Sequence, residues 1–132
     1  MAVKKTTEIS VGKKTLQNTK GMKELEKKIG KVPIFFRELM KTQPDMHGAI
    51  LAFDQHIWDD GALSRKTKKI LAISIAAALR DQHAVQAQLA GAKRLGVSPE
   101  EIEEALRVTF LLAGMPAYVY GRAAMEKIMG KE

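Results

Sequence analysis

What most constrains the fold is punctuation. Helix start and stop signals recur along the chain: Ser64 before a long apolar run, Gly96 after the following segment, Ser98-Pro99-Glu100-Glu101 before the next, and Gly114-Met115-Pro116 behind it. In the tetrapeptide, Ser98 caps, and Pro99 takes the first helical position, where its missing N–H costs nothing. Glu101 can return a hydrogen bond to the cap, and both acids favour the positive end of the helix. No alternating strand pattern competes with these signals. The chain reads as all-α, with six to seven helices and no internal repeat.

Residues 1–20 read as a basic, loosely ordered arm and residues 21–130 as a single all-helical domain. Gly21 opens a short charged helix, Met22 to Ile29, which Gly30 closes. Pro33 is expected in the first turn of the next helix, whose apolar face is Ile34, Phe35, Leu39 and Met40 and which Pro44 ends. Asp45 reads as the N-cap of a helix through Trp58, with Met46, Ile50, Phe53 and Ile57 at helical spacing. Between Lys69 and Leu79 the apolar residues Ile70, Leu71, Ile73, Ile75 and Leu79 do not keep to one face. Such a helix is central, or shared with another subunit. The polar cluster Arg80-Asp81-Gln82-His83 interrupts the pattern before a helix that Gly96 stops. Ile102, Leu106 and Phe110 mark a helix from Pro99 to about Leu112, and a last one runs from Pro116 to about Met129.

The 132 residues include no cysteine. Disulfides, thiolate nucleophiles, dithiol redox cycles and cysteine-ligated zinc are therefore excluded. A chain of this length buries roughly two thirds of its unfolded surface and needs no staple. Neither a signal peptide nor a long apolar run stands out, so a cytoplasmic protein without membrane association is expected. Nine lysines against three glutamates in residues 1–31 carry six of the seven net positive charges. No aromatic residues interleave these lysines and no groove-reading motif accompanies them, so a solvated arm is favoured over nucleic-acid binding. His47 and His56 are nine residues apart and point to opposite sides of their helix, unlike a metal-binding i, i+4 pair. No metal site, phosphate loop, nucleotide fingerprint or other cofactor motif is read.

From Asp60 to about Ala105 the chain resembles the carboxymuconolactone decarboxylase family, which includes the AhpD-like alkylhydroperoxidases. The matching runs are Gly61-Ala-Leu-Ser-Arg-Lys-Thr-Lys-Lys-Ile-Leu-Ala-Ile-Ser-Ile-Ala76 and Ala90-Gly-Ala-Lys-Arg-Leu-Gly-Val-Ser-Pro-Glu-Glu-Ile-Glu-Glu-Ala105, continued by Phe110 through Gly114-Met115-Pro116-Ala117 to Glu126. The resemblance implies an all-helical fold that assembles into dimers, trimers or hexamers. The redox branch of that family uses a glutamate, a Cys-x-x-Cys pair and a histidine four residues on. Counting back from Gly96 and Ser98-Pro99, those positions hold Lys69, Asp81, Ala84 and Gln88, with His83 matching a histidine of some members. Asp81 and Ala84 can neither attack a peroxide nor resolve the product, so thiol peroxidase chemistry is excluded. In the decarboxylase branch the resemblance implies a Glu/His pair four residues apart, and this chain has Ala84 and Gln88 there.

The residues left at these positions admit one catalytic reading. His83 would be the acid/base, while Lys69, Asp81 and Gln88 would bind a small carboxylate or lactone, giving a lyase or isomerase. Asp81 orients His83 in that reading, or simply caps its helix. In the plainer reading His83 is a first-turn surface residue, and Lys69 and Arg80 lie in solvent or an ion pair. The alternative function is then a non-catalytic homo-oligomeric module with a vestigial pocket and a basic arm for an acidic partner.

Overall fold

Seven helices make up most of residues 18–130, the part of the chain that the computed structural model describes, and no strand occurs among these residues. They are α1 (18–29), α2 (Ile34–Thr42), α3 (Pro44–Trp58), α4 (Arg65–Leu79), α5 (Gln82–Leu95), α6 (Pro99–Ala113) and α7 (Met115–Met129). The all-α expectation holds, and the caps explain where four helix ends fall. Ser64 Oγ accepts from the Thr67 N–H at 3.1 Å, and Asp81 Oδ1 accepts from the Ala84 N–H at 3.0 Å. The Ser98 box closes in both directions, at 3.1 Å from the Glu101 N–H and 3.0 Å from the Ser98 N–H. Gly96 ends α5 in the left-handed region at φ 77°, where a residue without Cβ costs least.

Several boundaries differ from the sequence reading. Residues 18–20 are helical and belong to α1, so Gly21 lies inside that helix instead of opening it. The rest of the expected arm, residues 1–17, lies outside the described residues. Pro33 is the extended N-cap of α2, with ψ 147°, and does not stand in its first turn. Pro44 opens α3, leaving Asp45 inside the first turn and not at the cap. One proline does both jobs: it forces Gln43 out of helical geometry, which stops α2, while its own fixed φ suits a first helical position. The last helix begins one residue early, at Met115.

The described residues form two compact units, 18–28 with 32–58 and 29–31 with 59–130. In the first, the buried members are Met22, Leu25, Val32, Phe36, Leu39 and Leu51, with His47 fully enclosed. His47 Nε2 lies 3.2 Å from Met22 Sδ, and its ring stacks obliquely on Phe36 at 4.4 Å. Asn18 Nδ2 donates to the Pro44 carbonyl at 3.0 Å, and Gln55 Nε2 to that of Gly21 at 3.1 Å. The faces expected to be buried are only partly so: Leu39 is buried and Met40 and Ile50 are half-buried, but Ile34, Phe35, Met46, Phe53 and Ile57 are all exposed.

In the second unit α4 packs against α5, α6 and α7. Ile73, Ala77, Val85, Leu89, Ala92, Ile102, Leu106 and Met125 form its core. Small residues let the helices close on one another. A Cβ on Gly121 would lie 3.1 Å from Ala77 Cβ and 2.6 Å from Leu106 Cδ2. Tighter still, a Cβ on Gly91 would fall 2.0 Å from the Ile29 carbonyl oxygen, so α5 touches the 29–31 segment backbone to backbone. The central position expected of α4 is therefore half right. Ile73, Ala76 and Ala77 are buried, but Leu71, Ile75 and Leu79 form an exposed i, i+4, i+8 stripe. Phe110, expected to follow Ile102 and Leu106 inward, is also exposed.

Candidate functional site

Lys69 shares the inward face of α4 with Ile73, Ala76 and Ala77 and is only 1% exposed. A lysine on the buried stripe of a central helix must find a partner or lose its proton. Its Nζ donates to Gln88 Oε1 of α5 at 2.8 Å. Burial lowers its pKa from the ordinary 10.5 to about 8. Gly91, one turn beyond Gln88, flanks the amine: a Cβ there would stand 3.1 Å from Nζ. Gln88 itself is half-buried.

Asp81 and His83 fall elsewhere. The α4–α5 corner turns at Arg80, the only non-glycine residue with positive φ (55°) among the described residues. Asp81 then uses its carboxylate on the Ala84 N–H as the N-cap of α5. His83 is exposed in the first turn, about 7.5 Å along the helix axis from Gln88 at 1.5 Å per residue. Of the four site residues read from the sequence, Lys69 and Gln88 meet, whereas Asp81 and His83 stay at the exposed corner. Lys69 is not in solvent, one of the two places that the plainer reading gave it. Among the other candidates His47 is enclosed and His56 exposed, in keeping with their opposite sides.

A second polar cluster escaped the sequence reading. Glu103 of α6 accepts from the Tyr118 hydroxyl at 2.6 Å and meets Arg122 of α7 at 3.0 Å and Arg107 at 3.5 Å. Desolvation works to raise the Glu103 pKa, but the bonds from Tyr118 and Arg122 outweigh it and hold the carboxyl below its ordinary value. Glu103, Arg107 and Arg122 border a surface cavity of about 520 Å³, which none of Lys69, Asp81, His83 or Gln88 lines. The i, i+4 spacings Glu103/Arg107 and Arg122/Glu126 were readable in the sequence, but the pairing across two helices was not. Among the described residues no three His, Asp or Glu side chains gather as a metal site, and no helix is long and apolar enough to cross a membrane.

The carboxymuconolactone decarboxylase family model matches residues 44–127, and the chain belongs to that family. It is 36% identical over 100 residues to the uncharacterized protein MJ0742 of Methanocaldococcus jannaschii, covering 72% of this chain and 96% of that one. MJ1511 of the same organism is 24% identical over 92 residues, with coverages of 70% and 86%. The uncharacterized protein 4 in the cox locus of Paracoccus denitrificans is 27% identical over 88 residues, with coverages of 67% and 79%.

Proposed function

We propose that this family member works without thiols as a lyase or isomerase on a small carboxylate or lactone, with the Lys69–Gln88 pair as its reactive centre. The observation that carries the reading is the 2.8 Å bond between a fully buried amine and an amide. These are the positions where the family resemblance puts a glutamate and a histidine. A cationic Lys69 attracts an anionic substrate into an environment of low polarity, where the attraction is strong. Its lowered pKa lets it give and take a proton near neutrality. The Gln88 amide offers both a donor and an acceptor to a carboxylate or carbonyl. His83, exposed on the same helix, is the competing acid/base.

Self-association belongs to the same proposal. Leu79, Leu111 and Leu112 are 74–82% exposed, beside Ile75 and Val108. A monomer that left these faces to water would show more contiguous apolar surface than soluble monomers usually do.

The test is a thermal-shift screen of small lactones and carboxylates on the full chain. A ligand at 100 times its Kd contributes about 2.7 kcal/mol of stability. Lys69→Met should abolish that gain while His83→Gln keeps it. If Lys69→Met binds the same ligands equally well, the assignment to Lys69 is wrong.

A further inference from the structure

We propose that His47 and Met22 form a binding site for a soft monovalent metal cation, copper(I) or its analogue silver(I), in the helical unit that does not hold the Lys69–Gln88 pair. Imidazole Nε2 and the Met22 thioether supply the first two donors, and the Met40 thioether is the third.

His47 Nε2 of α3 and Met22 Sδ of α1 stand 3.2 Å apart, with the ring fully enclosed and Met22 buried. Two donors on one tetrahedral ion, with a metal–nitrogen bond of about 2.0 Å and a metal–sulfur bond of about 2.3 Å, stand about 3.5 Å apart. The pair is thus within a few tenths of an ångström of the separation that coordination requires. As a hydrogen bond the contact gains little, since a thioether sulfur is a weak acceptor. Nδ1 is buried and has no hydrogen-bond partner among the described residues. Nothing there fixes the tautomer, so the ring proton can sit on Nδ1 and leave the Nε2 lone pair facing the sulfur. Packing alone would be served by an apolar ring, of the kind that Phe36 lays against His47 at 4.4 Å.

Met22 and Met40 both line a surface cavity of about 290 Å³, so a second thioether borders the space from which the enclosed pair is reached. The donors select the ion. The chain has no cysteine, and its thioethers are its only sulfur ligands. Thioether sulfur suits copper(I), whereas magnesium and calcium take oxygen ligands. All three donors are neutral. Burial holds the His47 imidazole below its ordinary pKa, so it is unprotonated at pH 7 and has no proton to release on binding. Lys23, Arg37 and Lys41 stand around the cavity against Glu26, and this net positive rim repels a divalent cation more strongly than a monovalent one. No electron transfer is involved: the ion binds and leaves as copper(I).

The test is anaerobic titration of the full-length protein with copper(I) held as its bicinchoninate complex, repeated with silver(I) nitrate. Both are followed by NMR of protein labelled at the methionine methyl carbons. One copper(I) per chain is expected to pass from the chelator to the protein, and the methyl signals of Met22 and Met40 should move with both ions. Met22→Leu, close in size, should weaken uptake by at least the roughly tenfold that loss of an outer-shell partner costs a metal site. Met46→Leu, at an exposed methionine, should leave uptake unchanged. Shifts confined to other methionines, or uptake that Met22→Leu leaves intact, overturn the site. Movement of Met22 without Met40 overturns the third donor. Zinc(II) that moves the same signals equally overturns the preference for a soft ion. The wild-type spectra keep the test decisive even if the Met22 variant does not fold. None of these readouts involves Lys69, so this site and the lactone or carboxylate reading stand or fall separately.

Discussion

Lys69 Nζ and Gln88 Oε1 are 2.8 Å apart, which joins the buried face of α4 to α5 through a charged hydrogen bond. The lysine is 1% exposed, so this contact stands in for the water shell its ammonium gives up. Removing one partner and removing both should therefore have different effects. Lys69→Met alone leaves the Gln88 amide short of a partner. Lys69→Met with Gln88→Leu replaces the pair by apolar groups, and should be neutral or stabilising at pH 7 by roughly 1–4 kcal/mol. Gln88→Leu alone, which removes this acceptor from the buried amine, should be the costliest of the three, by roughly 1–3 kcal/mol. Urea unfolding of the three variants checks this order.

The sign of the pH dependence follows from the same lysine. Its folded pKa is about 8 and its ordinary value 10.5. Below pH 8 both states hold the proton and the burial cost is fully present. As pH rises from 8 to 10.5 the folded state releases its proton first, and the cost is relieved. Stability should climb by about 3 kcal/mol across that window and stay flatter in Lys69→Met. His47 acts at the other end. Burial lowers its pKa below 6.5, so the unfolded chain takes the proton first and stability falls as pH drops through that value. Chemical denaturation from pH 5 to 10.5, with His47→Phe as the acid-side control, measures both arms.

Gly91→Ala should destabilise in spite of better helix propensity. The propensity gain is about 1 kcal/mol. The new methyl would meet the Ile29 carbonyl oxygen at 2.0 Å, an encounter with backbone that no rotamer change relieves. A net loss of roughly 1–3 kcal/mol is expected, read as a drop in Tm.

Arg80→Gly should do the opposite. Arg80 sits at φ 55° and ψ 38° as the C-cap of α4, and its backbone N–H serves the Ala76 and Ala77 carbonyls. Glycine makes the same turn without the Cβ strain, for a gain of roughly 1 kcal/mol. Thermal unfolding of the variant checks it.

The exposed apolar stripe gives a prediction about assembly. Leu79→Glu and Leu112→Glu change side chains that are 74% and 82% exposed, so neither should unsettle the core of the subunit. Each should break self-association while helicity is retained, as read by sedimentation alongside circular dichroism.

Local chemistry was legible in the sequence. Ser64, Asp81 and Ser98 cap because their side chains reach N–H groups three residues on, a range that spacing alone reveals. Pro44 was ambiguous because the same fixed φ that stops one helix starts the next. The burial of Lys69 was not legible, since it depends on which face of α4 three other helices cover. The exposed faces misled for a related reason: an apolar pattern shows that a surface wants cover, not whether the same chain supplies it. At the candidate site, the family positions 69 and 88 came together, while His83 remained at the corner. Asp81 shows why that corner is polar. Its carboxylate occupies the positive end of α5, where a negative charge is favoured.

The most direct measurement is the titration of Lys69 itself, followed by NMR at its side-chain carbon or nitrogen in the full-length protein, with Lys69→Arg to assign the signal. A midpoint at about 8 is expected if the amine is buried and reactive as described. A midpoint at the ordinary 10.5 would mean a solvated surface lysine, and the centre proposed here would not exist.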